Sequence, residues 1–330
     1  MSVRGWVLFG AMSVIWGIPY LLIKVAVEGV SVPVLVLART AVGALVLLPL
    51  AMSRAAWAPV LRHWKPVLVF AFFEIIAAWA LLTDAERHLT SSMTGLLIAA
   101  APIIAAVLDR ITGGERLGVK RVAGLFVGLS GVAVLAGPGL AGGHVWPVLE
   151  VLLVATCYAI APLVAARFLG EVPSLPMTAA CLTVAALIYT TPAALTWPDA
   201  MPTTRVLASL AALAVVCTAL AFIVFFALIR EVGAARALVF TYVNPAVALA
   251  AGVIVLGEPL TAYNIAGLVL ILSGSVLATR KATHGNRERE TSAKNQPDSR
   301  SQFTLAEPIE AIEPIEPKGP TGPGATRRTP

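Results

Sequence analysis

The sequence predicts an all-α polytopic membrane protein, with ten transmembrane helices in two inverted five-helix repeats. Three observations carry this: composition, an internal duplication and the placement of basic residues. Of 330 residues, 58% are hydrophobic and 13% charged, and the mean hydropathy is +0.86. A soluble domain carries about 25% charged residues. This chain could not cover its surface with polar groups in water, and its apolar runs recur near the roughly 20 residues needed to cross hydrocarbon.

The duplication is read from Pro102 to Leu135, which a shift of 143 residues sets without a gap against Pro245 to Ala278. Pro102 then meets Pro245, Gly114-Glu115 meets Gly257-Glu258, Ala123-Gly124-Leu125 meets Ala266-Gly267-Leu268, and Leu129-Ser130-Gly131 meets Leu272-Ser273-Gly274. Each copy reads as an apolar helix containing a proline, a Gly-Glu turn, and a second apolar helix with small residues at helical spacing.

In chain order, the first apolar run covers about residues 6–27. Its apolar core is too long for a signal peptide and further spans follow, so a retained helix is expected. Runs follow at about 32–52, 66–82, 92–108 and 122–135, then 145–169, 175–194, 206–229, 237–256 and 262–278. Five runs per half is an odd number, so the second copy must enter the membrane from the opposite side.

Basic residues test this independently. With the N-terminus inside, the inner loops and flanks hold 15 basic residues, among them Arg54, Arg62, Lys65, Arg116, Lys120, Arg121, Arg230 and Arg236, whereas the outer loops hold only Arg87 and Arg205. The positive-inside rule then puts both termini in the cytoplasm. The expected organisation is a first repeat over 1–139, a second over 140–279, and a disordered cytoplasmic tail over 280–330. There the apolar runs stop and the tract EPIEAIEPIEP appears.

Trp16-Gly17 followed by Lys24, Arg39 in the second run, and proline-bearing fourth and ninth helices each leading into Gly-Glu-x-Leu resemble the EamA-type branch of the drug/metabolite transporter superfamily. The resemblance covers nearly all of residues 6–279. It implies ten helices, cytoplasmic termini, and secondary transport, often export, of small metabolites. The third helix departs from many members in carrying Glu74 and ending in Thr83-Asp84-Ala85-Glu86-Arg87-His88.

Ionisable residues inside spans are the most informative, because a charge at the bilayer centre costs at least ~2.5 kcal/mol. Glu74 lies eight residues into the third run, about 12 Å from its start. It is the first choice for a proton or cation site; the alternatives are a hydrogen-bonded structural carboxyl or a counter-ion for Arg39. Arg39 is similarly deep and stays charged at any accessible pH, so it must face protein or water, pairing with Glu74 or holding a substrate carboxylate. Lys24 is close enough to the outer end to snorkel, and Glu150 reads as interfacial.

Trp16, Tyr20, Trp79, Tyr158 and Tyr242 are rings that could grip an apolar or cationic substrate or simply pack. Asn244 needs a partner at mid-membrane, and with Pro102 and Pro245 it marks breaks in the fourth and ninth helices. Glu115 and Glu258 are expected to cap the fifth and tenth helices. Gly124, Gly128 and Gly131 form one face for close helix approach, either within this chain or to a second copy. Cys157, Cys181 and Cys217 sit in apolar runs without CxxC or His partners and read as small buried side chains.

The leading functional reading is a secondary active transporter of small metabolites or drugs in the cell membrane. It would work by alternating access, with a proton as candidate coupling ion, as a monomer or homodimer. No cofactor, metal or nucleic-acid partner is expected; its partners are a small-molecule substrate and the lipid bilayer. No Walker motif, HExxH or GxSxG occurs, so an enzyme is not expected. The alternatives are a membrane-embedded enzyme using Glu74 and the Asp84 to His88 run, which reads more simply as a solvated turn, or a channel or lipid-translocating scaffold.

Overall fold

The computed structural model describes residues 1–51, 54–113 and 118–279, and within these no strand occurs. The expectations for Glu115 and for residues 280–330 lie outside the described residues. The helices are α1 (Val3–Ile15), α2 (Pro19–Ala26), α3 (Val32–Leu50), α4 (Arg54–Arg62), α5 (Trp64–Ala71), α6 (Ala77–Ala85), α7 (Ser91–Ile98) and α8 (Ala101–Ile111). There follow α9 (Val119–Ala141), α10 (Val145–Phe168), α11 (Ser174–Leu195), α12 (Thr204–Ala214), α13 (Ala221–Val232), α14 (Ala234–Ala237), α15 (Asn244–Leu256) and α16 (Ala262–Thr279). Eight continuous stretches among them are long and apolar enough to cross a bilayer, and α15 and the last helix are shorter apolar helices.

Local chemistry sets the boundaries. Ser31, Thr90 and Thr203 each stand in extended backbone, and their hydroxyls accept from Val34 N, Met93 N and Val206 N, starting α3, α7 and α12. The fourth run divides at Ala99 and Ala100, after which Pro102 lies in the first turn of α8; Pro245 lies likewise in the first turn of α15, after a 3-10 turn over Leu238–Tyr242. Proline lacks an amide hydrogen that would be unbonded there in any case, so both prolines begin helices rather than kinking them. Gly257 ends α15 at φ 68°, a left-handed conformation that favours glycine. The helix α4, carrying Arg54 and Arg62, is too polar for the apolar-run pattern and was not expected.

Helices α9 and α16 pack along their length. A Cβ on Gly124 would stand 2.6 Å from Ala278 N, and one on Gly131 would stand 2.8 Å from Ile271 N, so here backbone meets backbone. Contacts fall in α16 as they rise in α9, so the two helices run antiparallel. They also reciprocate: Gly124 approaches Gly274 and Ala278, while Gly267, its counterpart at a shift of 143, approaches Gly131 and Leu135. The neighbour left open by the glycine pattern is therefore a helix of the same chain.

The correspondence extends beyond the segment first recognised. The same shift takes Pro19 to Pro162, Pro33 to Pro176, Pro49 to Pro192 and Pro59 to Pro202. It also takes a π-helical turn at Phe72–Ile76 to another at Val215–Leu220. Helix α1 packs on α13 as α10 packs on α6, and α3 packs on α11. One pair breaks the pattern: α7 packs along α15, whereas α8 and α14, related to it by the shift, are not a packed pair among the described residues.

Gly124→Leu is expected to force α9 from α16 and lower stability by about 1–3 kcal/mol or more. Gly10→Leu, where a Cβ meets nothing within 4 Å, should leave the thermal midpoint in detergent unchanged.

Candidate functional site

The two π turns lie at the centre of the bundle's chemistry. The first carries Glu74 and the second Cys217 and Thr218. Such a turn inserts an extra residue and sets side chains and carbonyls off the α-helical register. Tyr189 Oη donates to Ile76 O at 2.8 Å and Thr218 Oγ1 donates to Leu213 O at 2.9 Å, so carbonyls at both turns find partners.

Arg39 on α3 is only 5% exposed. Its Nε donates to Thr218 Oγ1 at 3.4 Å, and its guanidinium carbon lies 3.9 Å from the centroid of the Trp79 ring. A cation over an indole face gains about 2 kcal/mol when desolvated. No carboxylate pairs with it: among the described residues the ion pairs are Arg4 with Glu231 and Arg87 with Asp84, away from this site. Glu74 is half-buried and likewise has no hydrogen bond or ion pair among the described residues. The expected Arg39–Glu74 pair does not form, because Arg39 is taken up by Trp79 and Thr218. Tyr158 on α10 is within electrostatic reach of both charges, and Tyr20 and Cys217 are beside Arg39.

The other aromatic candidates divide. Tyr20 is buried over Gly95, where a Cβ would stand 3.1 Å from its ring. Trp16, at the break between α1 and α2, packs in a cluster with its centroid 5.1 Å from Phe225 and 5.5 Å from Phe240. Tyr242 closes the 3-10 turn before α15 and is half-buried. Asn244, with its amide oriented to satisfy both groups, donates to Ser13 O at 3.2 Å and Phe240 O at 3.1 Å, which ties α15 to the α1–α2 break.

At the end of α2, Lys24 does not extend to water: its ammonium donates to Glu86 O and Leu89 O at 2.7 Å each. Glu258 does not cap its own helix either. Its carboxylate reaches the start of α7, accepting from Ser91 N at 2.7 Å, Ser92 N at 2.9 Å and Ser92 Oγ at 2.5 Å. Three residues separate it from the start of α16, whereas α7 presents free amides directly to it. The Asp84 to His88 run is a solvated turn only in part: Arg87 and His88 are exposed, whereas Glu86 is fully buried. Glu150, expected at the interface, is 3% exposed, lies near Asp84 and Trp146, and leaves its Oε2 without a hydrogen-bond partner. Nearby, a concavity of about 560 Å³ is lined by Glu28, Ser31, Asp84, Arg87 and Thr196, and it includes neither Arg39 nor Glu74.

Sequence reasoning missed Thr218, Ser91, Ser92 and Glu86. A signal existed for Glu86 alone: Leu82, Glu86 and Leu89 share one helical face, and all three are buried.

The profile of the EamA-like transporter family matches residues 3–137 and again residues 145–280. The chain belongs to the EamA-like transporter family. Among its relatives, an uncharacterized transporter of Bacillus subtilis, YvbV, is 29% identical over 83% of this chain and 91% of its own length. A probable terminal-alkyne amino-acid exporter of Streptantibioticus cattleyicolor is 28% identical, covering 84% of this chain and 94% of the relative. The uncharacterized inner membrane transporter YedA of Escherichia coli K12 is 26% identical over 82% and 90%. A solved crystal structure with 20% identity covers 84% of this chain and 98% of its own at a TM-score of 0.61, a likeness of fold. Family and apolar helices together make this chain an integral membrane transporter of a small molecule.

Glu258→Ala strips an acceptor from two backbone amides and a hydroxyl, so a loss of about 1–3 kcal/mol is expected in thermal unfolding. Glu258→Gln keeps one acceptor oxygen and should lose less.

Proposed function

We propose that this EamA-like protein is a secondary active transporter that exports a small zwitterion of the amino-acid type by alternating access. The observation that carries the reading is a guanidinium and a carboxyl group without protein counter-ions. Arg39 and Glu74 are both deep in the bundle, and both neighbour Tyr158. A substrate carboxylate supplies the bidentate partner that a guanidinium lacks, and a substrate ammonium supplies the partner that Glu74 lacks. Neutralised this way, two charges that are costly in hydrocarbon become a recognition site. Export of an amino acid is also what the name of the Streptantibioticus relative describes.

In this reading the chain comprises ten spanning helices in two inverted halves, residues 1–139 and 140–279, with both termini cytoplasmic. The antiparallel, reciprocal contacts of α9 and α16 support it, as do the matched prolines and π turns. The unequal packing of α7 with α15 and of α8 with α14 supports alternating access, since two related pairs would close in turn. The α7–α15 pair lies at the end assigned to the outside, so the conformation described is closed there.

In proteoliposome counterflow, Arg39→Gln and Glu74→Gln should each slow exchange of a labelled amino acid by about 10–100-fold, the scale of a charge-assisted hydrogen bond. Amino-acid methyl esters, which lack the carboxylate, should be insensitive to Arg39→Gln. Folded Glu74→Gln protein that exchanges amino acids at the wild-type rate would remove the zwitterion from the account.

A further inference from the structure

The end of the bundle where α2, α6 and α7 meet holds a carboxyl group that neither the fold nor the proposed substrate contacts use. Glu86 is fully buried, and both of its carboxyl oxygens lack a hydrogen-bond partner. Lys24 is near, but its ammonium donates to the backbone carbonyls of Glu86 and Leu89, each at 2.7 Å, and forms no ion pair with the carboxyl group. Glu258 is near as well, from the turn after α15.

The two carboxyl groups differ in what surrounds them. Glu258 accepts from two amides at a helix N-terminus and from a hydroxyl, so both of its oxygens have donors. Glu86 has no donor at all, and an ionised carboxylate without donors is among the costliest groups to bury. Glu86, without a donor, is therefore the member of the pair that holds a proton. Burial pushes its carboxyl well above the ordinary carboxylate range; Lys24 pulls it back, Glu258 adds to the rise, and Arg39 on α3 opposes it. The remaining ionisable groups around it are Tyr20 on α2, then Asp84, Arg87 and His88 on its own segment, with Glu150 of α10 against Asp84.

We propose that Glu86 is a proton-binding site, loaded in the conformation described here and discharged to water at this end of the bundle. On release the carboxylic O–H bond breaks, the proton passes to water and a carboxylate remains. That carboxylate attracts the Lys24 ammonium away from the two carbonyls and repels Glu258 from Ser91 and Ser92. The first contact holds the turn leading into α7 and the second holds the first residues of α7, so proton loss loosens the α7–α15 closure. The site is independent of which substrate Arg39 and Glu74 bind.

The test uses the full chain in lipid bilayers and the proton alone as ligand, read by infrared spectroscopy across pH. The wild type should show a carboxylic C=O component at neutral pH that Glu86→Gln removes and Glu74→Gln keeps. Glu258→Gln removes a negative neighbour and should lower the midpoint of that band by about one pH unit. Stability gives a second reading. A carboxyl raised in the folded state stabilises the fold fully at low pH, and that contribution is lost as pH rises through the folded titration. The melting temperature should therefore fall with rising pH in the wild type and stay flat in Glu86→Gln. A Glu86→Gln spectrum identical to wild type overturns the proposal, and so does a midpoint that Glu258→Gln leaves in place. Should Glu86→Gln fail to fold, the Glu258→Gln midpoint alone decides.

Discussion

Hydrocarbon offers no hydrogen-bond partner, so every polar group inside the bilayer must be satisfied by the chain itself or by what the chain carries. Most of this structure answers that constraint. Serine and threonine hydroxyls start α3, α7 and α12, Asn244 bridges the broken first and ninth runs, Lys24 closes two carbonyls, and Glu258 caps a distant helix. Against this background the exceptions stand out. Arg39 has a ring and one hydroxyl where a carboxylate would serve; Glu74 has nothing, and Glu86 has nothing. Ionisable groups left unanswered deep in a bundle are where function is expected to concentrate.

The apolar framework lets these groups be held without filling the bundle. Glycines bring the backbones of α9 and α16 into contact, a rigid pairing that recurs reciprocally across the duplication. The π turns stand at matched positions, yet one carries a carboxylate and the other a cysteine and threonine facing Arg39. Duplication thus supplies the frame, and divergence at matched positions supplies the chemistry. Glu86 follows the same rule, since the position matched to it by the shift is Ile229.

Composition and periodicity made the helical, membrane-spanning character legible, and the duplication was visible because Gly-Glu and Leu-Ser-Gly survive in both copies. Arg39, Glu74 and Trp79 stood out because charge and large rings are rare in apolar runs. What stayed hidden depended on register and distance. A π turn leaves no mark in residue spacing, so the placement of Thr218 beside Arg39 could not be read. Glu258 was assigned to the helix that follows it, because the amides of Ser91 and Ser92 are remote in sequence. Glu86 was lost among the charges of Asp84, Arg87 and His88, although its spacing from Leu82 and Leu89 already placed it on the buried face.

The account rests on two halves that face each other upside down. Side-specific thiol labelling in intact cells tests this most directly, and the three native cysteines are buried, which keeps the background low. Cysteines introduced at Thr112, after α8, and at Leu260, after α15, are both exposed positions. The account predicts that an impermeant reagent applied from outside modifies the cysteine at Leu260 and spares the one at Thr112. Modification of both from the same side would contradict it.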